Sequence, residues 1–147
     1  MESFQLSIVT PEKKIFDQQI LSLIAPGSEG YLGILAHHAP LMTSLIPGKL
    51  MVKVHPEAVI GDKQNIESIY AISGGFIEVA GNKATILADA IERVEEIDID
   101  RAKRAEERAR EILAGKIHDS VEFTRVEAAL ERALNRIQIF NGHNNRK

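Results

Sequence analysis

The chain has 147 residues, of which 44% are hydrophobic, and this is enough for one ordinary domain or a small domain with an appendage. Its formal net charge of -3 gives no overall basic surface for nucleic acid, and the absence of cysteine excludes disulfides, a thiol nucleophile and thiolate metal sites. No apolar run approaches the roughly 20 residues of a membrane-spanning helix and no signal-peptide pattern is found, so we expect a soluble chain whose membrane role would come through partners.

The part of the chain before residue 90 has the pattern of short strands separated by turns. Phe4 to Val9 alternates at period two, which is typical of a half-buried strand. Gly81-Asn82 between two apolar runs predicts a hairpin, and Pro47-Gly48 predicts a turn. Many short strands without a helical run predict a sandwich or small barrel. The other predicted strands cover residues 15–16, 20–24 (ending before Pro26), 30–35, 49–54, 69–72, 76–79 and 84–88, with a loop or irregular hairpin at 55–64.

The composition changes after Ala90, where strand formers give way to Ala, Glu and Arg. We therefore expect two domains, at 1–89 and 90–147. The second should contain two helices joined by a short loop, and such helices lie antiparallel.

The ends of these helices are marked by capping residues. Asp98 or Asp100 can cap the first helix, and Gly115 would end it in a left-handed conformation. Asp119 and Glu122 have the spacing of a capping box at the start of the second helix. The expected helices run from about residue 97 to 114 and from about 119 to 140, with a polar, frayed tail after Asn141.

The two helices are expected to pair through small side chains. Alanine buries little apolar area, so a hairpin held this way is weak and can open. The predicted stripe comprises Ala102, Ala105, Ala109 and Leu113 on the first helix and Val126, Ala129, Ala133 and Ile137 on the second.

The arginines of the predicted hairpin form a candidate anion site. With equal rise in both helices, residues whose numbers sum to about 234 lie level, which places Asp98 opposite Arg136 and Arg101 beside Arg132. Arg132 and Arg136 share a face, and Arg108 follows Arg101 by two turns. Clustered guanidinium groups suit a multiply charged phosphate. The alternative, favoured on spacing alone, is a solvated helix pair whose arginines meet Glu106, Glu107, Glu127 and Glu131.

Motifs for independent catalysis are not found in the sequence. No Gly-rich Walker loop precedes a helix, and no Ser nucleophile elbow is present. His37-His38 lacks a third ligand at metal spacing, and Asp98 with Asp100 lacks the glycine and distal Glu of a calcium loop. We therefore expect neither a metal site nor an enzyme that is active alone.

Several motifs, taken in order, resemble one known family. The segment GSEGYLGILAHHAPL at 27–41 is similar to the epsilon subunit of F-type ATP synthase, as are SGGFIEV at 73–79 and TILAD at 85–89. With the helical tail, the resemblance covers nearly the whole chain. It implies an N-terminal antiparallel β-sandwich followed by a C-terminal antiparallel α-helical hairpin, in agreement with the prediction from the residues.

The chain departs from the family pattern at three places. Tyr31 stands where an acidic residue is common. Ala36-His37 stands where Pro-Gly or Pro-Asn is usual, which affects the shape expected for the loop before His38. The segment 55–67 is longer than usual.

The resemblance implies a non-catalytic subunit of the rotor, or central stalk, on the cytoplasmic side of a bacterial cell membrane. The sandwich would bind the gamma subunit and rest on the c-ring through Glu29, Tyr31 and His38, coupling proton translocation to ATP synthesis. The hairpin would switch between a folded ATP-binding form and an extended form, which enters the alpha/beta catalytic head and inhibits ATP hydrolysis.

The run IDxxRA at 97–102 resembles the ATP-binding signature of bacterial members of the family. Because three of the grouped arginines reappear around Arg101, the resemblance favours a nucleotide over the solvated pair. ATP that binds only the folded form would oppose extension by RT ln(1 + [L]/Kd), about 2.7 kcal/mol at a hundredfold excess over Kd. The implied site, holding regulatory ATP that is not hydrolysed, comprises Glu92, Ile97, Asp98, Arg101, Ala102, Arg108, Arg132 and Arg136.

Other functions stay open at this point. The first alternative is the same rotor subunit with no nucleotide in the hairpin. A more distant one is an unrelated adaptor whose basic helix meets an acidic partner or RNA, with binding that falls steeply with salt. A hydrolase is the weakest.

Overall fold

A computed structural model describes residues 2–58, 66–115 and 119–145. The chain divides into two compact units, one ending at Arg93 and the other beginning at Val94. This division lies beyond the predicted boundary at Asp89 because a short strand, Ile91–Arg93, pairs with an earlier strand and so belongs to the first unit.

The strands of the first unit form one continuous sheet. Their hydrogen-bonded order is β2-β1-β7-β6-β5-β3-β4, and β8 pairs separately with β6. A short 3-10 turn at Pro56–Ala58 follows β5, at the start of the loop predicted at 55–64, and residues 59–64 of that prediction lie outside the described residues. The strands are β1 (Phe4–Val9), β2 (Lys14–Ile20), β3 (Ser22–Gly27), β4 (Gly30–Leu35), β5 (Leu41–Lys53), β6 (Glu67–Ala80), β7 (Lys83–Ala88) and β8 (Ile91–Arg93).

The two longest strands, β5 and β6, bend and take part in both layers of the sandwich. Residues 75–80 of β6 pair with β7, whereas residues 70–72 pair with β8. The two halves of β5 pair with the corresponding halves of β6. One layer therefore contains β2, β1 and β7, the other contains β8, β3 and β4, and β5 and β6 connect them.

The prediction of a turn at Pro47-Gly48 is wrong, because both residues lie inside β5 and pair with Ser73 and Ile72 of β6. They lie at the bend of β5, where a Cβ on Gly48 would come within 2.6 Å of the Cβ of Pro26. Glycine thus allows β3 and β5 to approach closely. β3 also continues through Pro26, where the sequence predicted its end.

The expected sandwich is confirmed, with one exception to its antiparallel pairing. β1 and β7 run parallel, with Gln5 opposite Lys83, whereas the other described strand pairs are antiparallel. The hairpin at Gly81-Asn82 is also confirmed. Both residues have a φ of 58°, as a two-residue type I′ turn requires.

The core of the first unit is formed by alternate residues of the strands, as the period-two pattern predicts. Adjacent residues point away from this core, so the same strands also present exposed side chains. The largest fully buried side chains of these strands are Phe4, Leu6, Ile8, Ile20, Leu23, Ile34, Leu50, Val52, Ile72, Ile77 and Ile86.

The second unit contains a 3-10 turn at Val94–Glu96, helix α1 at Ile99–Ala114 and helix α2 at Ser120–Asn144. The predicted capping residues Asp98 and Asp119 are confirmed as N-caps. Gly115 does end α1, but its φ of -66° and ψ of 156° are extended rather than left-handed as predicted. Its N–H instead donates to the carbonyl of Ile112 at the end of α1.

Helix α2 is longer than predicted and continues to Asn144 instead of fraying after Asn141. The two helices pack on each other, and α2 also packs on the 3-10 turn. Burial confirms the small-residue stripe. Ala102, Ala109, Val126 and Ala133 are buried, and Ala105, Leu113, Ala129 and Ile137 are half-buried.

Candidate functional site

The start of α1 is fixed by Asp98, whose carboxylate oxygen Oδ1 accepts a hydrogen bond of 3.0 Å from the backbone N–H of Arg101. Asp98 is therefore a capping residue, which is the role the sequence favoured over calcium binding. Ile97, just before it, is 6% exposed, and its N–H donates to the carbonyl of Val94. The burial of Ile97 and the hydrogen bond from the N–H of Arg101 to Asp98 together hold the predicted signature at 97–102 in one conformation.

The arginines of the hairpin share a position relative to the buried stripe. A residue directly before a buried position lies about 100° from it around the helix. When two antiparallel helices face each other through such buried positions, the residues directly before them lie on the same side of the pair in both helices. Four arginines have it: Arg101 before Ala102, Arg108 before Ala109, Arg125 before Val126 and Arg132 before Ala133.

The heights of these arginines follow from the rule that level residues sum to about 234. By this rule buried Ala102 lies level with buried Ala133, and buried Ala109 with buried Val126, which is consistent with one shared apolar stripe. The same rule places Arg101 level with Arg132. Arg136, one turn beyond Arg132, is half-buried, as Arg132 is.

The glutamates that would neutralise these arginines in a solvated pair do not do so. Glu106 accepts from Arg110, with a distance of 3.1 Å between Oε1 and Nε. In the part of the chain that the structure describes, the guanidinium groups of Arg101, Arg108 and Arg132 have no ion pair. One side of the hairpin thus presents uncompensated positive charge, which is what a polyanion binds.

Two further residues bear on the predicted set. Glu92 is half-buried in β8, opposite Ala71 of β6, and so belongs to the first unit. Arg125 was not predicted, although it lies on the same side of the hairpin as Arg132 and is exposed. Arg125 could have been identified from its position directly before Val126, a residue of the predicted stripe.

The predicted c-ring contacts lie along β4, the edge strand of its layer. Glu29 is exposed in the turn before β4, and Tyr31 is 59% exposed near its start. His38 follows the far end of β4, and its N–H donates to the carbonyl of Leu35. Six residues of strand separate Glu29 from His38 by roughly 20 Å. The structure therefore brings Glu29 and Tyr31 together and places His38 apart from them.

The loop that carries His38 is held by Asn82. The backbone N–H of His37 donates to Oδ1 of Asn82 at 2.8 Å, and Nδ2 of Asn82 donates to the carbonyl of Ser3 at 3.1 Å. His37 has a φ of 63°, a conformation that glycine and asparagine adopt more easily than histidine. It stands at the position where the sequence departs from the family pattern.

An apolar groove lies on the outer face of the β5–β6–β7 layer. Its main side chains are Met42, Phe76 and Leu87, exposed to 70%, 58% and 54%. The groove measures about 180 Å³, and Glu78 and Thr85 also line it. Large apolar side chains grouped at the surface mark an interaction site. Sequence reasoning did not identify this groove.

The two units match two family profiles. Residues 3–94 match the β-sandwich domain of the ATP synthase delta/epsilon chain, and residues 95–141 match its long α-helix domain. The chain belongs to the ATP synthase delta/epsilon family. It is thus similar to a subunit of the ATP synthase complex along nearly its whole length.

Relatives of the delta/epsilon family agree with this assignment. The ATP synthase epsilon chain of Nitratidesulfovibrio vulgaris strain DP4 is 41% identical over 138 residues, covering 94% of this chain and 96% of the relative. The epsilon chain of Syntrophobacter fumaroxidans is 42% identical with the same coverage. That of Carboxydothermus hydrogenoformans is 49% identical over 113 residues, 77% of this chain and 78% of the relative.

Solved structures show the same fold. A chain of the Euglena gracilis mitochondrial ATP synthase, in its OSCP/F1/c-ring structure, has a TM-score of 0.75 at 25% identity and covers 90% of this chain and 78% of its own length. A chain of the Tetrahymena thermophila mitochondrial ATP synthase, in its central stalk and c-ring structure, has a TM-score of 0.69 at 13% identity. It covers 95% of this chain and 97% of its own length. Neither helix of the described residues is apolar enough over a sufficient length to cross a membrane.

Proposed function

We propose that this chain is a non-catalytic rotor subunit whose helical hairpin binds ATP as a regulatory ligand. The uncompensated guanidinium groups of Arg101, Arg108 and Arg132 on one side of the hairpin carry the proposal. Each can form charge-assisted hydrogen bonds to phosphate oxygens. Ala102 and Asp98 fix the backbone from which Arg101 projects.

ATP would act by shifting a population of conformations. The helices pack through Ala102, Ala109, Val126 and Ala133, which bury little area. A phosphate chain that touches arginines of both helices binds the closed pair and not the separated helices. It therefore stabilises the closed pair by an amount that grows with ATP concentration. In the separated form, α2 would enter the alpha/beta catalytic head and inhibit ATP hydrolysis.

Calorimetry of ATP binding to the whole purified chain tests the site. Arg101→Ala and Arg132→Ala should each weaken binding about tenfold or more, because each removes a charged donor to phosphate. Arg104→Ala is the matched control, since Arg104 is exposed on α1 and lies about 200° from buried Ala102. Equal affinity of Arg101→Ala and the parent chain would refute the site.

Helix separation can be followed directly, because the chain has no cysteine of its own. Labels at Glu107→Cys and Glu127→Cys occupy exposed positions that lie level on the two helices. ATP should shorten or narrow the distance distribution between the labels, and Arg132→Ala should abolish this effect. A distribution that ATP leaves unchanged would favour the alternative, in which packing alone holds the pair.

For the sandwich, we propose that the groove of Met42, Phe76 and Leu87 docks on the gamma subunit. Their exposure leaves apolar area that a partner would remove from water. Phe76→Glu should abolish copurification with gamma, whereas Val121→Glu, at an apolar α2 residue that is 77% exposed, should not. Retained copurification of Phe76→Glu would exclude the groove as the gamma interface.

We further propose that the edge along β4 rests on the c-ring of the membrane sector, with Glu29 and Tyr31 at one end and His38 at the other. The exposure of all three side chains supports this. Together, the two contacts would make the chain a coupling element between proton translocation and ATP synthesis, on the cytoplasmic side of a bacterial membrane. Glu29→Gln in the assembled enzyme should lower the number of protons pumped per ATP hydrolysed.

A further inference from the structure

The hydrogen bonding between β3 and β5 is interrupted next to the bend of β5. Ile24 of β3 pairs with Met51 of β5, but Gly27 pairs with Leu45, so β5 has extra residues opposite Ala25 and Pro26. Pro26 also has no N–H to donate. At this interruption, backbone groups of β5 need partners from elsewhere.

The side chain of Tyr31 supplies one of these partners. Tyr31 lies on β4 opposite Pro26, and its hydroxyl oxygen accepts a hydrogen bond of 3.1 Å from the backbone N–H of Lys49 in β5. A Cβ on Gly48 would lie 3.1 Å from this hydroxyl. The phenol therefore reaches across β3 to the bend of β5, over a position where glycine leaves space for it.

A second bond attaches the adjacent turn to β5. The N–H of Ser28 donates to the carbonyl of Ser44 at 3.1 Å, on the other side of the bend from Lys49. Gly27 and Gly30 close the turn between them, and Glu29 lies at its tip. Two hydrogen bonds thus hold the Glu29 turn, one from each side of the bend.

We propose that the Tyr31 hydroxyl is a positioning group, which holds the turn of Glu29 in a fixed place for docking. The inference rests on the proposed c-ring contact of Glu29. It gives the Tyr31 hydroxyl a role in addition to the proposed contact of the exposed side chain, since the hydroxyl is engaged within the sandwich. A turn held in place before docking loses less conformational entropy when it binds.

Amide hydrogen exchange on the full chain tests the first step. Tyr31→Phe removes only the hydroxyl, and the Lys49 amide should then exchange roughly five- to tenfold faster, as expected for the loss of one ordinary hydrogen bond. The amide of Ile77, in the core of the other layer, should be unchanged. Leu35→Ala, at a residue of β4 that is 57% exposed, is the control and should leave Lys49 unaffected. An unchanged Lys49 amide in Tyr31→Phe overturns the inference.

The second step is tested in the assembled enzyme by protons pumped per ATP hydrolysed. Glu29→Gln and Tyr31→Phe should each lower this ratio, and the double variant should fall no further than Glu29→Gln, because Tyr31 acts through Glu29. A lowered ratio in Glu29→Gln with a normal one in Tyr31→Phe, or additive losses in the double variant, overturns the positioning role alone. A normal ratio in Glu29→Gln refutes the proposed c-ring contact, and the positioning role with it.

Discussion

Asn82 and His37 are 45 residues apart in the sequence, yet the side-chain oxygen of Asn82 accepts a 2.8 Å hydrogen bond from the backbone N–H of His37. Both residues have a positive φ, 58° for Asn82 and 63° for His37. Asn82 also bonds the carbonyl of Ser3, and its own carbonyl accepts from the N–H of Gln5. One turn residue thus joins the β6–β7 hairpin, the start of β1 and the loop that carries His38.

This junction predicts unequal effects for two substitutions. Asn82→Gly keeps the positive φ but removes two side-chain hydrogen bonds, and should lower the free energy of unfolding by about 1 kcal/mol. Asn82→Ala adds the strain of a left-handed alanine, and should lower it by about 2 to 3 kcal/mol. Urea unfolding of the full chain measures both values. Equal losses would show that the conformation of residue 82 contributes nothing.

The bend of β6 depends on Gly75. Its φ is 141°, and a Cβ there would collide with the carbonyl oxygen of Leu87. Gly75→Ala should therefore lower the free energy of unfolding by about 3 kcal/mol or more, or prevent folding. Gly33→Ala is the matched control, because a Cβ at Gly33 in β4 meets nothing within 4 Å. Circular dichroism and thermal unfolding distinguish the two, and a native-like melting curve for Gly75→Ala would contradict this account of the bend.

At the start of α1, two substitutions of Asp98 distinguish the contribution of its capping hydrogen bond from that of its negative charge. Asp98→Ala should lower the stability of the second unit by about 1 kcal/mol, whereas Asp98→Asn keeps an oxygen for the N–H of Arg101 and should be nearly neutral. Helical circular dichroism during unfolding measures this difference. ATP calorimetry on Asp98→Asn then reports what the charge contributes to the nucleotide. If both variants lose the same stability, the cap seen here is not what stabilises α1.

The carboxyl of Asp17, which lies on β2, makes the stability of the β1–β2 pair depend on pH. Hydrogen bonds from Lys14, at 3.0 Å, and from Gln5, at 2.6 Å, lower the pKa of the Asp17 carboxyl below its ordinary value. Because the pKa of Asp17 is lower in the folded chain than in the unfolded chain, its ionised carboxylate stabilises the folded chain. This stabilisation is fully present at pH values above the ordinary pKa of about 3.9. It is lost as the pH falls through the lowered pKa of the folded chain.

Unfolding of the parent chain and Asp17→Asn, followed from pH 7 to about pH 2, measures this dependence. The stability difference between the two should shrink as the pH falls below about 4. Gln18→Ala is a control at a neighbouring exposed residue of β2 that carries no charge, and its stability difference from the parent chain should not change with pH. A difference that stays constant over the whole range would exclude Asp17 as its source.

Much of the local structure could be predicted from the sequence. The caps Asp98 and Asp119, the Gly81-Asn82 hairpin and the alanine stripe all depend on contacts between residues near in sequence, or on helical periodicity. The errors at Pro47-Gly48, Pro26 and Gly115 share a cause. Proline and glycine restrict or permit backbone conformations, but the neighbouring strand or helix decides which conformation is used.

The candidate site divides in the same way. The spacing of Arg101, Arg108 and Arg132 placed them on one side of a helix pair, because residue spacing fixes direction around a helix. Their lack of glutamate partners within the described chain was not predicted. Glu106, one of the glutamates that the sequence offered to these arginines, pairs instead with Arg110, four residues further along α1. Side-chain conformation decides such choices, and sequence spacing leaves them open.

By itself, the sequence determined the two-part organisation, the strand and helix content and the residues that face each core, since these follow from periodicity and composition. Tertiary structure alone decided the bends of β5 and β6, the parallel pairing of β1 with β7, the grouping of Met42 with Phe76 and Leu87, and the bond from Lys49 to Tyr31. Each of these joins segments far apart in the chain, and such contacts depend on how whole strands pack rather than on any local preference.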